Sequence, residues 1–263
     1  TCRRDEEGGG FRGTDEAQLT WLRAGLDAGV FAVDVEAAAP DAVWSGLSGV
    51  DPARLVASSH AFESGQDGGE ALAARWARLA DRPAETLKLA VQVDDVVALG
   101  RLRRLAVPAG REAVRVGMGL AGQIGRACPR ALGSRWTYVT APDARCTAPG
   151  QLGYEILARF NDADPGLLVL LGGPQVAHSP GPRVYTALAR ERGLPFVYLA
   201  APTADVQRAV RELAAFGLAG ASVTMPHKEQ LGDVAPPRGF AARVGAVNTL
   251  VRHGDGWRGE NTD

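Results

Sequence analysis

Short apolar or β-branched runs alternate with Ala/Leu/Arg-rich stretches at helical spacing, the pattern of repeated βα units around a parallel sheet. Five such units in about the first 160 residues exceed the needs of half a Rossmann fold and suit most of a (β/α)8 barrel. A turn-rich NDADPG break around 162–166 then precedes a new strand, LLVLLGG. The expected architecture is α/β: an incomplete (β/α)8 barrel over 1–162, then a second α/β domain over 166–263.

Strands are expected at 30–36, 55–59, 87–93, 113–118 and 135–140. Leu19, Leu22 and Leu26 share one helical face, as do Leu72, Trp76 and Leu79. A helical stretch at 151–160 closes the first part. In the second, strands are expected at 167–172, 195–199 and 219–224, with helices at 181–192 and 204–216. The charged, Gly-rich start RRDEEGGGF reads as the end of a strand whose beginning is missing, and GENTD stops equally abruptly. Both ends suggest a cut from a longer polypeptide.

Composition excludes several classes. With 46% apolar residues, 22% charged and a net charge of -1, there is no electrostatic case for nucleic acid or an anionic membrane. Cys2, Cys128 and Cys146 are odd in number and widely spaced, which suggests free thiols in a reducing compartment and no zinc site. No apolar run approaches the roughly 18 residues that span a bilayer, and the expected location is cytoplasmic.

Of 29 basic residues only two are lysines, Lys88 and Lys228. Arginine serves wherever a positive charge suffices, but it cannot form a Schiff base or readily give up its proton. Two surviving lysines therefore mark two candidate chemical sites.

Glu7, His60 and Lys88 fall at the ends of different expected strands, which is how a barrel gathers an acid, a base and a nucleophile. Their surroundings, TCRRDEEGGGF, VDVE, SSHAF, LKLAV, MGLAGQIGR and TAPGQ, occur in that order. Together they resemble type I 3-dehydroquinate dehydratase from its third strand to its end. The resemblance implies a Schiff base at Lys88, proton transfer by His60, and orientation of that histidine by Glu7. It implies Arg126 on the substrate carboxylate, and Arg3, Thr147 and Gln151 on carboxylate or hydroxyls, with no cofactor or metal. The chain departs from the family at Ala61, usually Asp, and Gly125, usually Ser. The first two strands and most of the third are also absent.

Within this region Gly117, Gly119 and Gly122 spell G-x-G-x-x-G, with Asp143 about twenty residues on, so a dinucleotide fingerprint fits by the letter. Asp143 lies beyond Pro142 rather than at a strand end, and the same glycines suit a turn leading to Arg126.

LLGGPQVAHSPGP, ASVTMPHKE, RVGAVNTLV and GENTD likewise come in order. They resemble the substrate-binding half of shikimate dehydrogenase. That resemblance implies Lys228 and Asp263 as the catalytic pair, Thr224 and Asn248 as hydroxyl-binding residues, and Ser179 as a carboxylate contact. Gly181, Tyr185 and Ser222 depart from the family's usual Ser, His and Asn. His227 and His253 are expected to be ordinary surface residues.

The order of the two parts is similar to that of bifunctional dehydroquinate dehydratase/shikimate dehydrogenase enzymes, in which the first product is the second substrate. The implied function is dehydration of 3-dehydroquinate and NADPH-dependent reduction of 3-dehydroshikimate. The NADP-binding domain is then expected after Asp263. The alternatives are a non-catalytic metabolite sensor, which would not need Lys88, His60, Glu7, Lys228 and Asp263 together, and an inactive fragment.

Overall fold

The computed structural model describes residues 1–65, 68–160 and 163–263. The expected boundary begins on Asp162, which lies outside them.

The first part opens with a 3-10 turn, Asp5–Glu7, and then runs α1 (Asp15–Asp27), β1 (Val33–Glu36), α2 (Asp41–Gly46), β2 (Leu55–Ala61), α3 (Gly69–Ala80), β3 (Thr86–Gln92), α4 (Val97–Arg103), β4 (Glu112–Met118) and α5 (Gly119–Ala127). Strands β1 to β4 form one parallel sheet in sequence order, an arc of a barrel. Period-two alternation gives its two faces opposite character. Val35, Ala57, Leu87, Leu89, Val91 and Ala113 point one way into the main core, with Leu22, Leu72, Trp76 and Leu79 from the helices. Asp34, Ser58, His60 and Lys88 occupy alternate positions on these strands, facing the barrel interior with Ala90, Val114, Val116 and Met118. Each buried leucine contributes about 1.5–3 kcal/mol, so the outer face carries the stability and frees the inner face for polar groups.

Three expectations need correction. The stretch 135–140 does not add a fifth strand to the sheet. The Arg135 N–H donates to the Ala113 carbonyl at 2.8 Å, but at the next step Ser134 Oγ accepts from the Arg115 N–H at 2.9 Å and donates to the Trp136 carbonyl at 2.9 Å, so a side chain takes the place of a ladder bond beside β4. After α6 (Pro129–Leu132), only β5 (Val139–Thr140) is extended, and it pairs in parallel with β6 (Leu152–Gly153). The 151–160 stretch is correspondingly broken: β6 buries Leu152, and α7 (Tyr154–Leu157) and a 3-10 turn (Ala158–Phe160) follow. Glu7, expected at a strand end, sits in the opening 3-10 turn, tied back by a bridge between Arg4 and Phe11.

The second part contains β7 (Gly166–Gly172), α8 (Gly181–Glu191), β8 (Phe196–Pro202), α9 (Val206–Ala214), β9 (Leu218–Val223), α10 (Gly239–Val244) and the hairpin β10 (Thr249–His253) with β11 (Gly256–Glu260). Its sheet order is β11-β10-β9-β7-β8, parallel through β9-β7-β8 and antiparallel at the hairpin.

The two parts are not packed as separate cores. One cluster runs from Leu22 to Leu250. Arg104 grips Glu212 with two bonds of 2.7 and 2.9 Å, the Val96 N–H donates to the Pro202 carbonyl, and Arg159 donates to the Ala189 and Phe196 carbonyls.

Candidate active sites

Lys88 is the third residue of β3, and its strand neighbour in β2 is Ser58. Its ammonium lies 2.6 Å from Asp34 Oδ2, with the lysine side chain 6% and the aspartate 16% exposed. Burial alone would raise the Asp34 pKa, but the attraction and hydrogen bond of Lys88 outweigh it and hold the carboxyl below its usual range. Tyr138 places its ring 5.0 Å from Lys88 Nζ. Neither partner was assigned from sequence. The VDVE motif and period-two alternation put Asp34 on the inner face, but 54 positions separate it from Lys88.

His60, in β2 rather than just past it, is buried. Glu7 Oε2 accepts from the His60 backbone N–H at 2.9 Å and lies 3.1 Å from Nδ1. With Nδ1–H donated to the carboxylate, Nε2 keeps its lone pair and can act as a base. The ring stacks on Phe62 at 6.4 Å.

A cavity of about 880 Å³ joins these groups, lined by His60 and Lys88 together with Arg3, Arg126, Thr147 and Gln151. Arg126 is buried on α5, where burial lowers its pKa to about 10 and it still stays protonated. It donates to the Gly117 carbonyl at 3.1 Å and the Pro149 carbonyl at 3.3 Å. Arg3 Nε is buried without a protein partner. Gln151 Oε1 accepts from Thr147 N, Thr147 Oγ1 and Ala148 N, which fixes the 147–151 loop at the cavity.

The G-x-G-x-x-G glycines serve packing. A Cβ on Gly122 would overlap the Gly117 backbone, and one on Gly150 would overlap Gly119. The Gly119 N–H donates to the Pro149 carbonyl at 3.2 Å. The amide that would meet a phosphate is therefore taken, and these residues do not fit a dinucleotide.

The second group lies at the C-terminal edge of the β7-β8-β9 sheet. Lys228 Nζ is 2.6 Å from Asp263 Oδ2, with side chains 34% and 67% exposed. The hydrogen bond from Lys228 holds the Asp263 carboxyl below its usual range. Buried Asn248 accepts on Oδ1 from Thr249 Oγ1, Thr262 N and Thr262 Oγ1, which sets the strand end next to Asp263. Thr224 follows β9 and is fixed through its N–H to the Leu171 carbonyl. Ser179 ends the turn after β7, its hydroxyl accepting from the Gly181 N–H at 3.3 Å. His253 is exposed as expected, whereas His227 is 1% exposed, correcting its assignment to the surface. Among the described residues no three His, Cys, Asp or Glu gather as metal ligands, and no helix is long and apolar enough to cross a membrane.

Comparison with known proteins bears directly on these groups. The family model "Type I 3-dehydroquinase" matches residues 1–161, well over half of the chain. The chain belongs to the type I 3-dehydroquinase family. A second model, "Shikimate dehydrogenase substrate binding domain", matches 171–250. The chloroplastic bifunctional 3-dehydroquinate dehydratase/shikimate dehydrogenase of Arabidopsis thaliana is 26% identical over 275 aligned residues, spanning 100% of this chain and 45% of that protein. A shikimate dehydrogenase (NADP(+)) of Syntrophobacter fumaroxidans is 43% identical over 98 residues, 37% of this chain and 34% of its own. The chain thus spans less than half the length of these curated relatives. Among solved structures, a type I 3-dehydroquinate dehydratase from Clostridium difficile superposes with a TM-score of 0.50 at 24% identity, covering 59% of this chain and 64% of that one, which bears on fold alone. The type I dehydroquinase fold and the shikimate-dehydrogenase-like unit expected from sequence are both present, in that order.

Proposed function

We propose that this chain is part of a bifunctional enzyme that dehydrates 3-dehydroquinate at Lys88 and handles 3-dehydroshikimate or shikimate at Lys228. The dehydratase-like domain is read as 1–162 and the shikimate-binding domain as 166–263. The observation that carries the reading is a buried lysine and a Glu-oriented histidine opening onto one cavity beside a buried arginine.

In this scheme the Lys88 amine adds to the substrate C3 ketone and loses water to give an iminium. The iminium acidifies the C2 proton by offering the developing carbanion an electron sink, and His60 Nε2 removes that proton. The departing hydroxyl takes the proton back from His60 and leaves as water; hydrolysis of the iminium then regenerates Lys88. Arg126 and Arg3 offer donors to the substrate carboxylate, while Thr147 and Gln151 offer groups to its hydroxyls.

At the second site Lys228 and Asp263 hold or move the proton at the substrate oxygen, with Thr224 and Asn248 on hydroxyls and Ser179 on the carboxylate. The reduction would draw on NADPH, which the glycine motif at Gly117, Gly119 and Gly122 does not fit. The presence of Lys88, His60, Glu7, Lys228 and Asp263 together supports an enzyme over a metabolite sensor. The three free cysteines support a reducing, cytoplasmic setting.

Incubation with 3-dehydroquinate and borohydride, followed by peptide mass mapping, tests the first site. The adduct is expected on Lys88, and labelling on Lys228 alone would overturn the assignment.

A further inference from the structure

His227 stands immediately before Lys228, and its burial has no counterpart in the dehydratase chemistry. Its Nε2–H donates to the Thr203 carbonyl at 2.9 Å, and its Nδ1 lies 2.7 Å from the side-chain oxygen Oε1 of Gln230. The turn itself is closed by the His227 N–H on the Thr224 carbonyl and the Gln230 N–H on the His227 carbonyl. Thr203 follows β8, and its hydroxyl bonds both carboxylate oxygens of Asp95, at 3.0 and 3.2 Å. Asp95 also accepts the Ala204 N–H at 2.8 Å, from across the junction, and the Val97 N–H at 2.8 Å, from its own α4. Asp95 comes three residues after β3, the strand that carries Lys88.

We propose that His227 is a positioning residue for Lys228, fastening the turn that bears the lysine to the barrel half through Thr203 and Asp95. The turn is also anchored at its ends, where the Gly173 N–H and the Gln175 side-chain amide donate to the Met225 carbonyl and Gln207 Nε2 donates to the Gln230 carbonyl at 2.9 Å. Between those ends Met225, Glu229 and Gln230 are exposed, and the Val247 N–H donates to the Lys228 carbonyl at 2.7 Å. The imidazole is the buried side chain of the stretch that carries Lys228. Its socket is completed by the first half: Asp95 fixes Thr203, and Thr203 presents the carbonyl that His227 grips. Placement of a side chain at the second site then depends on a carboxylate from the first. The proposal rests on the reading of Lys228 as a shikimate-site residue.

The scarcity of lysine supplies the measurement. With lysine labelled by carbon-13 at Cε, the 263-residue chain gives two lysine signals, and Lys228→Arg identifies which one belongs to Lys228. His227→Ala is expected to shift or broaden the Lys228 signal, leave the Lys88 signal in place and weaken shikimate binding by about 10-fold in calorimetry. His227→Gln can still donate to the Thr203 carbonyl and is expected to recover most of that loss. Asp95→Asn, on the other half, is expected to move the same Lys228 signal and weaken shikimate binding by about 3-fold. An unmoved Lys228 signal in folded His227→Ala overturns the proposal, whether or not binding falls, because a merely structural histidine would lower affinity without displacing the lysine. A His227→Ala loss that His227→Gln does not rescue overturns the link through Thr203. If Lys228→Arg itself leaves shikimate binding and its response to His227→Ala unchanged, it is the shikimate-site reading that fails. Circular dichroism melting of each variant separates unfolding from these effects.

Discussion

The two lysines of the chain hold their carboxylates at the same distance, 2.6 Å, in opposite surroundings. The Lys88 and Asp34 side chains are closed off by their own sheet, at 6% and 16% exposure, whereas Lys228 and Asp263 stand open at 34% and 67%. Distance alone says little about what each pair does. In the buried site, desolvation makes either partner costly to leave unpaired, so the geometry is preorganised. In the open site, water and salt screen the attraction, and the lysine owes its position to the turn beneath it. The first site should therefore answer to its own residues, and the second to its mounting.

The largest effect that would break this contrast is at Lys88. Lys88→Arg keeps a positive charge for Asp34 but removes the nucleophile, and dehydration is expected to fall by about 10⁴-fold or more. A Lys88→Arg enzyme of near-normal rate would show that charge, not amine chemistry, is what the buried pair provides. His60→Ala comes next. Loss of the base is expected to cost about 10³-fold in dehydration while calorimetric shikimate binding by the chain stays within about 2-fold. Parallel loss of both in a folded variant would show that the continuous core couples the sites beyond the contacts described.

Asp34→Asn tests preorganisation through stability. Burial works against the Asp34 carboxylate, but Lys88 holds its pKa below the usual value. A depressed folded-state pKa contributes stability that is present above the unfolded value, about 3.9, and is lost as the pH falls through the folded value. At pH 7, Asp34→Asn leaves a buried ammonium unpaired and is expected to cost about 3 kcal/mol in urea denaturation. The difference from wild type should shrink steadily below about pH 4. A difference that does not change between pH 7 and pH 3 would mean that the pair is not what Asp34 contributes.

Much of this was legible from the chain, and the failures are specific. Leu72, Trp76 and Leu79 share the buried face that their spacing predicts. Lys88, His60, Glu7 and Arg126 converge as their local motifs suggest, because each motif carries its own strand or turn. Pairings across many positions were not legible: Lys88 with Asp34 is a contact between β3 and β1, and alternation gives a face but no partner. The absent fifth strand turns on the Ser134 hydroxyl, which substitutes for a ladder bond and leaves no periodic trace. His227 was misjudged for a related reason. Its socket belongs to Thr203 and, through it, to Asp95 in the other half, so the turn sequence alone reads as solvated.

A smaller effect is expected at the open site. Gly181 stands where the resembling family carries a second serine, and a Cβ built there would lie 3.4 Å from Ser179 Oγ and 3.9 Å from the Tyr185 ring, ordinary contact distances. Gly181→Ser therefore has room, and a hydroxyl donated to the substrate carboxylate is expected to tighten shikimate binding by about 10-fold, the low end for a bond to a charged group. Unchanged affinity would place the carboxylate elsewhere on the sheet edge.

The smallest expected effect is none at all. The chain has the letters of a dinucleotide fingerprint at Gly117, Gly119 and Gly122, yet titration with NADPH is expected to show no binding at micromolar concentrations. A phosphate-binding turn needs free N–H groups at a helix start and a clear crevice beside them. Here the Gly119 N–H is committed to the Pro149 carbonyl, and Gly150 is packed so closely on Gly119 that a methyl group would not fit between them. Gly122 lies equally close to the Gly117 backbone, and the Gly117 carbonyl is in turn the acceptor for Arg126. The glycines are thus used to bring α5 against the end of β4 and aim an arginine into the cavity. Micromolar NADPH binding that disappears in Gly119→Val would reverse this account, since it would require the loop at Pro149 to open and the arginine to lose one of its anchors.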